Sequence, residues 1–529
     1  MHLFLFQIYF HLILIFTIIA KYADAANILI VTPFSSKSHY IMLSPIGLEL
    51  AKRGHNVTII TSIKQLNPPP NYHQVMVENK EIWDVMGTKR PVIFDMTRKS
   101  FEEFLNEVLW NGGLGFAEMA LKSTHLQEFL RKNNTFDLVI SEQFYQESLN
   151  ILAYKYKAPL VLIATTGICM KHNLVVGNPL QLNTIIFEAL DLKDHTSIWG
   201  RLRNIYITAY EYVWWKYWYL GKQEALMKKY IPDLEEPVPS LFGVQKNTSL
   251  LLINTHFSFD PPMALLPNIV EIGGLHLSRS NSSLPKDLQD ILDTSKNGVV
   301  YMNFGSNVVV SEMDQQKLMA FFNVFRKLKQ TVLMKWEKDT VENKPDNVVI
   351  QKWFPQREIF EHPNIKVFIS HGGLIGTQEA TFNGIPILGV PIYADQYNNL
   401  ELAEKHGFGK ILEYQDISEV TLGESLNEIL NDESYKRNAE EVAKRFKDRP
   451  MTPLETTIWW LEYVIRHEGA TFMKSEARNM SWFKYFMLDI YVVVITTMVV
   501  VTYLMVFAVK NITRLLGFNF KTNSKKKRS

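Results

Sequence analysis

The sequence holds a single cysteine, Cys169, among 529 residues. One thiol makes no intramolecular disulfide, so the chain must fold on core packing alone. Cys169 lies in the apolar stretch LVLIATTGICM, where a small buried residue is the expected role and a nucleophile is not. Net charge is almost absent as well: 56 basic and 54 acidic side chains leave a formal +2. No strong field draws nucleic acid or an acidic polymer. No G-x-G-x-x-G turn follows an early apolar strand, which argues against nicotinamide and flavin enzymes. There is no G-x-x-x-x-G-K-[ST], so no P-loop. Neither H-E-x-x-H nor a cysteine cluster offers a metal site. The Asp-x-Asp pair that holds a divalent cation on a diphosphate is missing too. No internal repeat or long low-complexity tract interrupts the chain.

The two ends carry targeting signals. An apolar run from Leu12 to Ala20 is followed by Ala23-Asp24-Ala25, which reads as a secretory signal peptide (1–25) cut after Ala25. Near the other end, Ile490 to Val509 gives 20 residues without a charge, enough to cross a bilayer as a helix. The tail at 510–529 has seven Lys/Arg and no acid, so the positive-inside rule puts it in the cytosol. The expectation is a single-pass type I protein with its body in the lumen and a luminal juxtamembrane segment at 466–489. Lys526-Lys527-Arg528-Ser529 reads as a dilysine retrieval signal of the endoplasmic reticulum rather than a plain basic flank. Glycosylation sequons fall at Asn133, Asn247, Asn281 and Asn479. Asn56 also fits but lies in an expected strand, and Asn511 falls on the cytosolic side.

Between the ends, the chain alternates strands and helices. NILIVTPF, a helix-like stretch from Tyr40 to Arg53 stopped by Gly54, and NVTIIT form a βαβ unit of a parallel sheet. DLVIS (137–141), PLVLIATT (159–166) and SLLLINTHFSF add further strands. An aromatic-rich helix lies within 198–229, with core or pocket packing as its expected role and membrane contact as the rival. LSRSNSSLPKD reads as a linker. A second series then follows: GVVYMNFGS, TVLMKWE, VVIQKWFP, KVFISHGG and PILGVP. Two α/β domains in tandem are expected, at 26–283 and 284–465. Ligands of such sheets bind outside the carboxyl ends of the strands, so the two domains should face a cleft.

The densest chemical signal is FISHGGLIGTQEATFNGIPILGVPIYADQ (368–396). An apolar strand ends at Ser370, and His371-Gly372-Gly373 opens a helix. Glycines there let backbone N–H groups approach a phosphate, and the helix dipole favours negative charge. His371 adds a side-chain donor. Glu379, two turns on, can accept a pair of ribose hydroxyls. Asp395 and Gln396 are an acid and an amide suited to sugar hydroxyls. In the first domain, Ser38-His39 follows the first strand, at the carboxyl edge where α/β domains present chemistry. Taken singly, each of these residues has an ordinary structural role; their spacing and joint occurrence point to function.

This segment resembles the signature of the UDP-glycosyltransferase family, and the likeness extends through YMNFGS, QKWFPQ, the single span and the basic tail. HGGLIGTQEA looks like the arthropod branch. The resemblance implies a GT-B fold of two Rossmann-like domains facing a cleft, plus a transmembrane helix. It implies that Trp353 stacks on uracil, Gln356 bonds its edge, and Ser306, His371, Gly372, Gly373 and Gly376 surround the phosphates. Glu379 would hold the ribose, and Asp395 and Gln396 the transferred sugar. Ile375 departs from an asparagine of many vertebrate members, which weakens one expected donor contact. His39 would be the general base. Its partner position, usually Asp, is Glu142 here, and Asp137 is a distant fallback.

The expected reaction is an inverting transfer of a hexose onto small lipophilic hydroxyl acceptors, without cofactor or metal. The arthropod-like motif favours UDP-glucose over UDP-glucuronic acid. A donor-binding paralogue with little turnover and a transferase acting on lipid or protein stay open. Expected partners are the UDP-sugar, the acceptor and the bilayer, with a homo-oligomer left open and nucleic acid excluded.

Overall fold

The structure, a computed structural model, describes residues 25–167, 170–187, 190, 197–277 and 283–517. The expected signal peptide through residue 24, Cys169, Asn281 and the tail beyond residue 517 lie outside the described residues.

The body contains two all-parallel sheets. The first has seven strands, β1 (Asn27–Thr32), β2 (Asn56–Thr61), β3 (Tyr72–Met76), β4 (Leu138–Glu142), β5 (Leu160–Ala164), β6 (Leu250–Ile253) and β7 (Ile269–Glu271). Their order is β3-β2-β1-β4-β5-β6-β7. The second has six, β8 (Val299–Asn303), β9 (Thr331–Lys335), β10 (Val348–Gln351), β11 (Ile365–Ser370), β12 (Ile387–Gly389) and β13 (Gly409–Ile411), ordered β10-β9-β8-β11-β12-β13. Central strands such as NILIVT, LVISE and LVLIA are buried almost throughout. That explains their continuous apolar runs: both faces of a parallel sheet are covered. The edge strands β3, β7 and β13 were not evident in the sequence. They are short and carry no such run, as edges generally do.

Both sheets reverse strand order once near the centre, between β1 and β4 and between β8 and β11. Parallel strands diverge to opposite sides there, leaving a crevice at their carboxyl ends. Helix α1 (Lys37–Lys52) leaves the first crevice. It begins at Lys37 rather than Tyr40, because its polar first turn, Lys37-Ser38-His39, carries no apolar period. The aromatic segment forms helix α2 (Ile198–Trp214) and a π-helical turn at Trp215–Tyr219. One face buries Ile207, Trp215 and Tyr219, while Trp199, Tyr206 and Tyr217 are exposed. Helices α3 (Leu374–Asn383) and α4 (Gln396–Lys405) follow β11 and β12.

Sequence order separates the sheets, but packing does not. Ile93, Phe94, Met96, Phe104 and Val108 join the core around β8, β9 and β11. The Phe94 ring stacks on Tyr414 at 4.7 Å. In return, helix α5 (Pro453–Arg466) places Ile458, Leu461 and Val464 in the core against β1, β2 and β4. Residues 453–465 were assigned to the second domain from the sequence; their apolar face packs on the first sheet instead. Amphipathic periodicity shows that a face is buried, not which sheet buries it.

Residues 476–529 form a separate unit. Its helix α6 (Leu488–Leu515) has a mean hydropathy of 2.6 over its most apolar window and no buried residue, which makes it long and apolar enough to cross a membrane. It includes the apolar run at 490–509 and continues through Asn511.

The return of α5 to the first sheet has a measurable consequence. Truncation of fully buried Leu461 to Ala should destabilise the body by roughly 2–5 kcal/mol, seen as a shift in denaturant midpoint. A loss below about 1 kcal/mol would mean that α5 is not part of this core.

Candidate active site

The first crevice brings His39 and Glu142 together. His39 sits in the first turn of α1, and Glu142 ends β4. Because β1 and β4 pair in parallel, with Val31 beside Ser141, the residues that follow emerge side by side. His39 Nδ1 contacts Glu142 Oε1 in a short hydrogen bond. The Glu142 side chain is 1% exposed. The longer side chain thus reaches the ring where an aspartate was expected. Thr165, just past β5, donates its hydroxyl to Glu142 Oε1 at 3.3 Å and lies 3.0 Å from His39 Nδ1. Phe34 and Phe144 meet the imidazole edge-on, each at 4.7 Å between centroids. The ring is therefore held by a carboxylate, a hydroxyl and two aromatic walls. Asp137, the fallback, sits at the other end of the strand and accepts the Asn27 N–H at 2.8 Å.

A carboxylate on Nδ1 requires the proton there, which leaves Nε2 with its lone pair. The contact selects the tautomer that can act as a base, the same logic by which a carboxylate orients histidine in hydrolytic triads.

In the second sheet, the expected residues gather at one edge. Ser306 follows β8, Trp353 and Gln356 follow β10, His371–Gly373 follow β11, and Asp395–Gln396 follow β12. Gly372 has φ +89, open to glycine alone, and a Cβ there would strike Leu400 at 2.6 Å. The His371 ring lies between the Gly305 and Gly373 backbones, each of which would place a Cβ within 3 Å of it. Glycine at both positions makes room for the ring. Gly373 caps α3 without a side-chain bond, so its first N–H groups have no capping side chain as acceptor. His371 Nδ1 is buried with no protein partner. Burial, aided by Lys335, lowers its pKa to about 4, so the ring is neutral near pH 7.

Glu379 is 5% exposed, and burial raises its pKa to about 7. Gln356 donates to its Oε2 in a short bond. The oxygen of Gln356 accepts from Asn303 at 2.7 Å. The amide expected at the uracil edge is thus tied into a chain with Glu379 and Asn303. Gly376 lies 3.5 Å from Gln356 Nε2, measured from where its Cβ would be. Trp353 is 52% exposed, and Lys37 of α1 reaches 4.7 Å from its ring centroid. This cation–π contact spans the two domains.

Asp395 accepts from Asn399 at 2.9 Å. Burial raises its pKa, and the Asn399 hydrogen bond offsets part of that rise. Gln396 Oε1 accepts the Ile392 and Tyr393 N–H groups at 2.9 and 3.1 Å. That oxygen caps its own loop. Ile375, where a weakened donor contact was expected, packs toward the core of the first sheet.

Sequence reasoning missed Thr165, Asn303, Asn399 and Lys37. Asn303 lies in YMNFGS and Asn399 in DQYNN, motif neighbours whose bonds are set only in three dimensions. Of the sequons, Asn133, Asn247 and Asn479 are exposed. Asn56 starts β2 and donates to Asn27 Oδ1 at 3.1 Å.

Residues 27–526 match the family described as UDP-glucoronosyl and UDP-glucosyl transferase. The chain belongs to this family. UDP-glycosyltransferase UGT5 of Dactylopius coccus is 33% identical over 92% of each chain. UDP-glucosyltransferase 2 of the same insect is 33% identical over 97% of each. Among solved structures, the glycotransferase of kitacinnamycin superposes with a TM-score of 0.56 at 15% identity, covering 84% of this chain and 99% of its own. That likeness shows the fold, a pair of parallel-sheet α/β domains of GT-B type. A UDP-sugar donor and a small acceptor are consistent with this family.

The buried Glu379 carboxyl gives a pH signature without nucleotide. Its pKa is about 7 when folded, against 4.5 ordinarily. Below 4.5 both states hold the proton and the group costs nothing. From there to 7 the unfolded chain ionises first, so stability falls as pH rises. Glu379→Gln removes this loss. In denaturant melts, its advantage over wild type should open across that window, reach at most about 3 kcal/mol, and stay flat above it. An advantage independent of pH would show an ordinary carboxyl.

Proposed function

We propose that this UDP-glycosyltransferase moves glucose from UDP-glucose onto hydroxyl groups of small lipophilic acceptors, with inversion at the anomeric carbon. The observation that carries the mechanism is the His39–Glu142 contact, which leaves Nε2 with its lone pair. His39 takes the acceptor hydroxyl proton as that oxygen attacks the anomeric carbon. The bond from that carbon to the diphosphate breaks, and UDP leaves with the electron pair from the opposite face. Glu142 stabilises the imidazolium that forms. Charge growing on the diphosphate meets the N-terminus of α3, neutral His371 and Ser306.

Trp353 and Gln356 hold the uracil, Glu379 the ribose, and Asp395 with the Gln396 amide nitrogen the sugar. For Gln356 and Glu379, donor binding replaces their mutual bond with bonds to the nucleotide. The name of the insect relative UDP-glucosyltransferase 2 supports glucose. No metal takes part in this reading, consistent with the missing Asp-x-Asp. Helix α6 anchors the protein as a type I span of the endoplasmic reticulum, with the body and its sequons in the lumen.

The test is turnover by microsomes that express the full chain, offered UDP-glucose or UDP-glucuronic acid with a panel of phenols. Glucoside formation is expected. His39→Ala should lower it by about 10²–10⁴-fold, with UDP affinity retained. Glucuronide as the sole product would replace the donor assignment. UDP binding without product from either donor would make the chain a binding paralogue. In the same assay, EDTA should leave the rate unchanged; loss of rate restored by a divalent cation would overturn the metal-free mechanism.

A further inference from the structure

Helix α3 presents two faces with different tasks. Gly376 and Glu379, three residues apart, share the face toward Gln356. Ile375 and Gln378, also three apart, turn toward the first domain. Ile375 packs on the core of the first sheet. Gln378 is fully buried and uses both ends of its amide there. Its Nε2 donates to the Asn254 carbonyl at 3.1 Å, and its Oε1 accepts the Gly274 N–H at 3.2 Å.

Both contacts lead back to His39. Asn254, just past β6 and itself fully buried, donates its side-chain amide to the Thr165 carbonyl at 2.8 Å. The Thr165 hydroxyl is the group that bonds Glu142 and lies beside His39 Nδ1. Gly274 precedes the short turn Leu275–Leu277, which packs against α1, the helix that carries His39. A chain of buried hydrogen bonds therefore runs from the helix bearing the ribose acid to the histidine–carboxylate pair.

We propose that Gln378 and Asn254 are positioning residues that fix the donor helix relative to His39, so that the anomeric carbon and the base are held in register. The inference rests on the reading of His39 as the base. A side chain that satisfies two backbone groups of another domain resists both sliding and opening of the lobes, since either leaves buried polar atoms unpaired. Register matters here because small misplacements of reacting groups carry large rate penalties.

The test uses the full chain in membranes, with UDP-binding sites counted by titration so that misfolded protein drops out. Gln378→Met keeps the shape and removes both bonds; Asn254→Ala cuts the next link. Each variant should lower kcat per UDP-binding site by about 10- to 100-fold, with the Kd for UDP within about threefold of wild type. The share of UDP-sugar lost to hydrolysis rather than transfer should rise, because water needs no register with His39. The double variant should be little worse than the poorer single one, as expected for one shared network. Unchanged kcat per binding site in both single variants would overturn the proposal, as would multiplicative losses in the double. His39→Ala serves as the control: if it stays active, the base reading fails; if it is inactive while Gln378→Met is normal, only the positioning role fails.

Discussion

A carboxylate that is 1% exposed cannot stand alone, and much of this structure follows from how Glu142 Oε1 finds its donors, while Oε2 stays buried without a protein partner. Burying an unpaired charge costs several kcal/mol, so the end of β4 must meet a donor. His39 supplies it, and Thr165 supplies a second. The strand order makes this meeting possible. With β1 and β4 adjacent and parallel, the loop after one and the end of the other share a single crevice. Phe34 and Phe144 then close the sides of the imidazole and limit its rotation.

The second sheet repeats the same solution with different chemistry. Its crevice lies between β8 and β11, and the loops there offer backbone N–H groups instead of a charge pair. Glycines 305, 372 and 373 exist at this point because a ring, a leucine and the backbone crowd within contact distance. His371 kept neutral by burial and Glu379 raised to about 7 are two results of one dry environment.

The two halves are not merely placed face to face. Residues 93–108 enter the core of the second sheet, and α5 returns to the first. Arg90 bonds Glu312 at 3.2 Å, and Gln415 bonds Thr97 at 2.9 Å, adding polar ties across the same boundary. These exchanges could not be read from the chain. The segments look like ordinary amphipathic elements, and the hydrophobic effect that buries them is non-directional. The edge strands escaped notice for a related reason: short, half-buried runs such as YHQVM carry little periodicity.

What could be read was local and dense. The strand–glycine–helix pattern around His371, the histidine after the first strand and the charge-free run at 490–509 each depend on neighbours in sequence, so their chemistry is visible there. Partners far apart in the chain are a different matter. Thr165 beside His39, Asn303 on Gln356, and Gln378 across to Asn254 and Gly274 are polar contacts between distant residues. Any of these side chains would be an unremarkable polar residue in another fold. Short-range patterns, strand runs and loop motifs, were enough for the two parallel sheets, the family and a set of candidate residues. Only the tertiary structure decided how those residues are paired and which lobe each helix serves, because hydrogen-bond partners and buried faces are chosen by where the sheets bring them together.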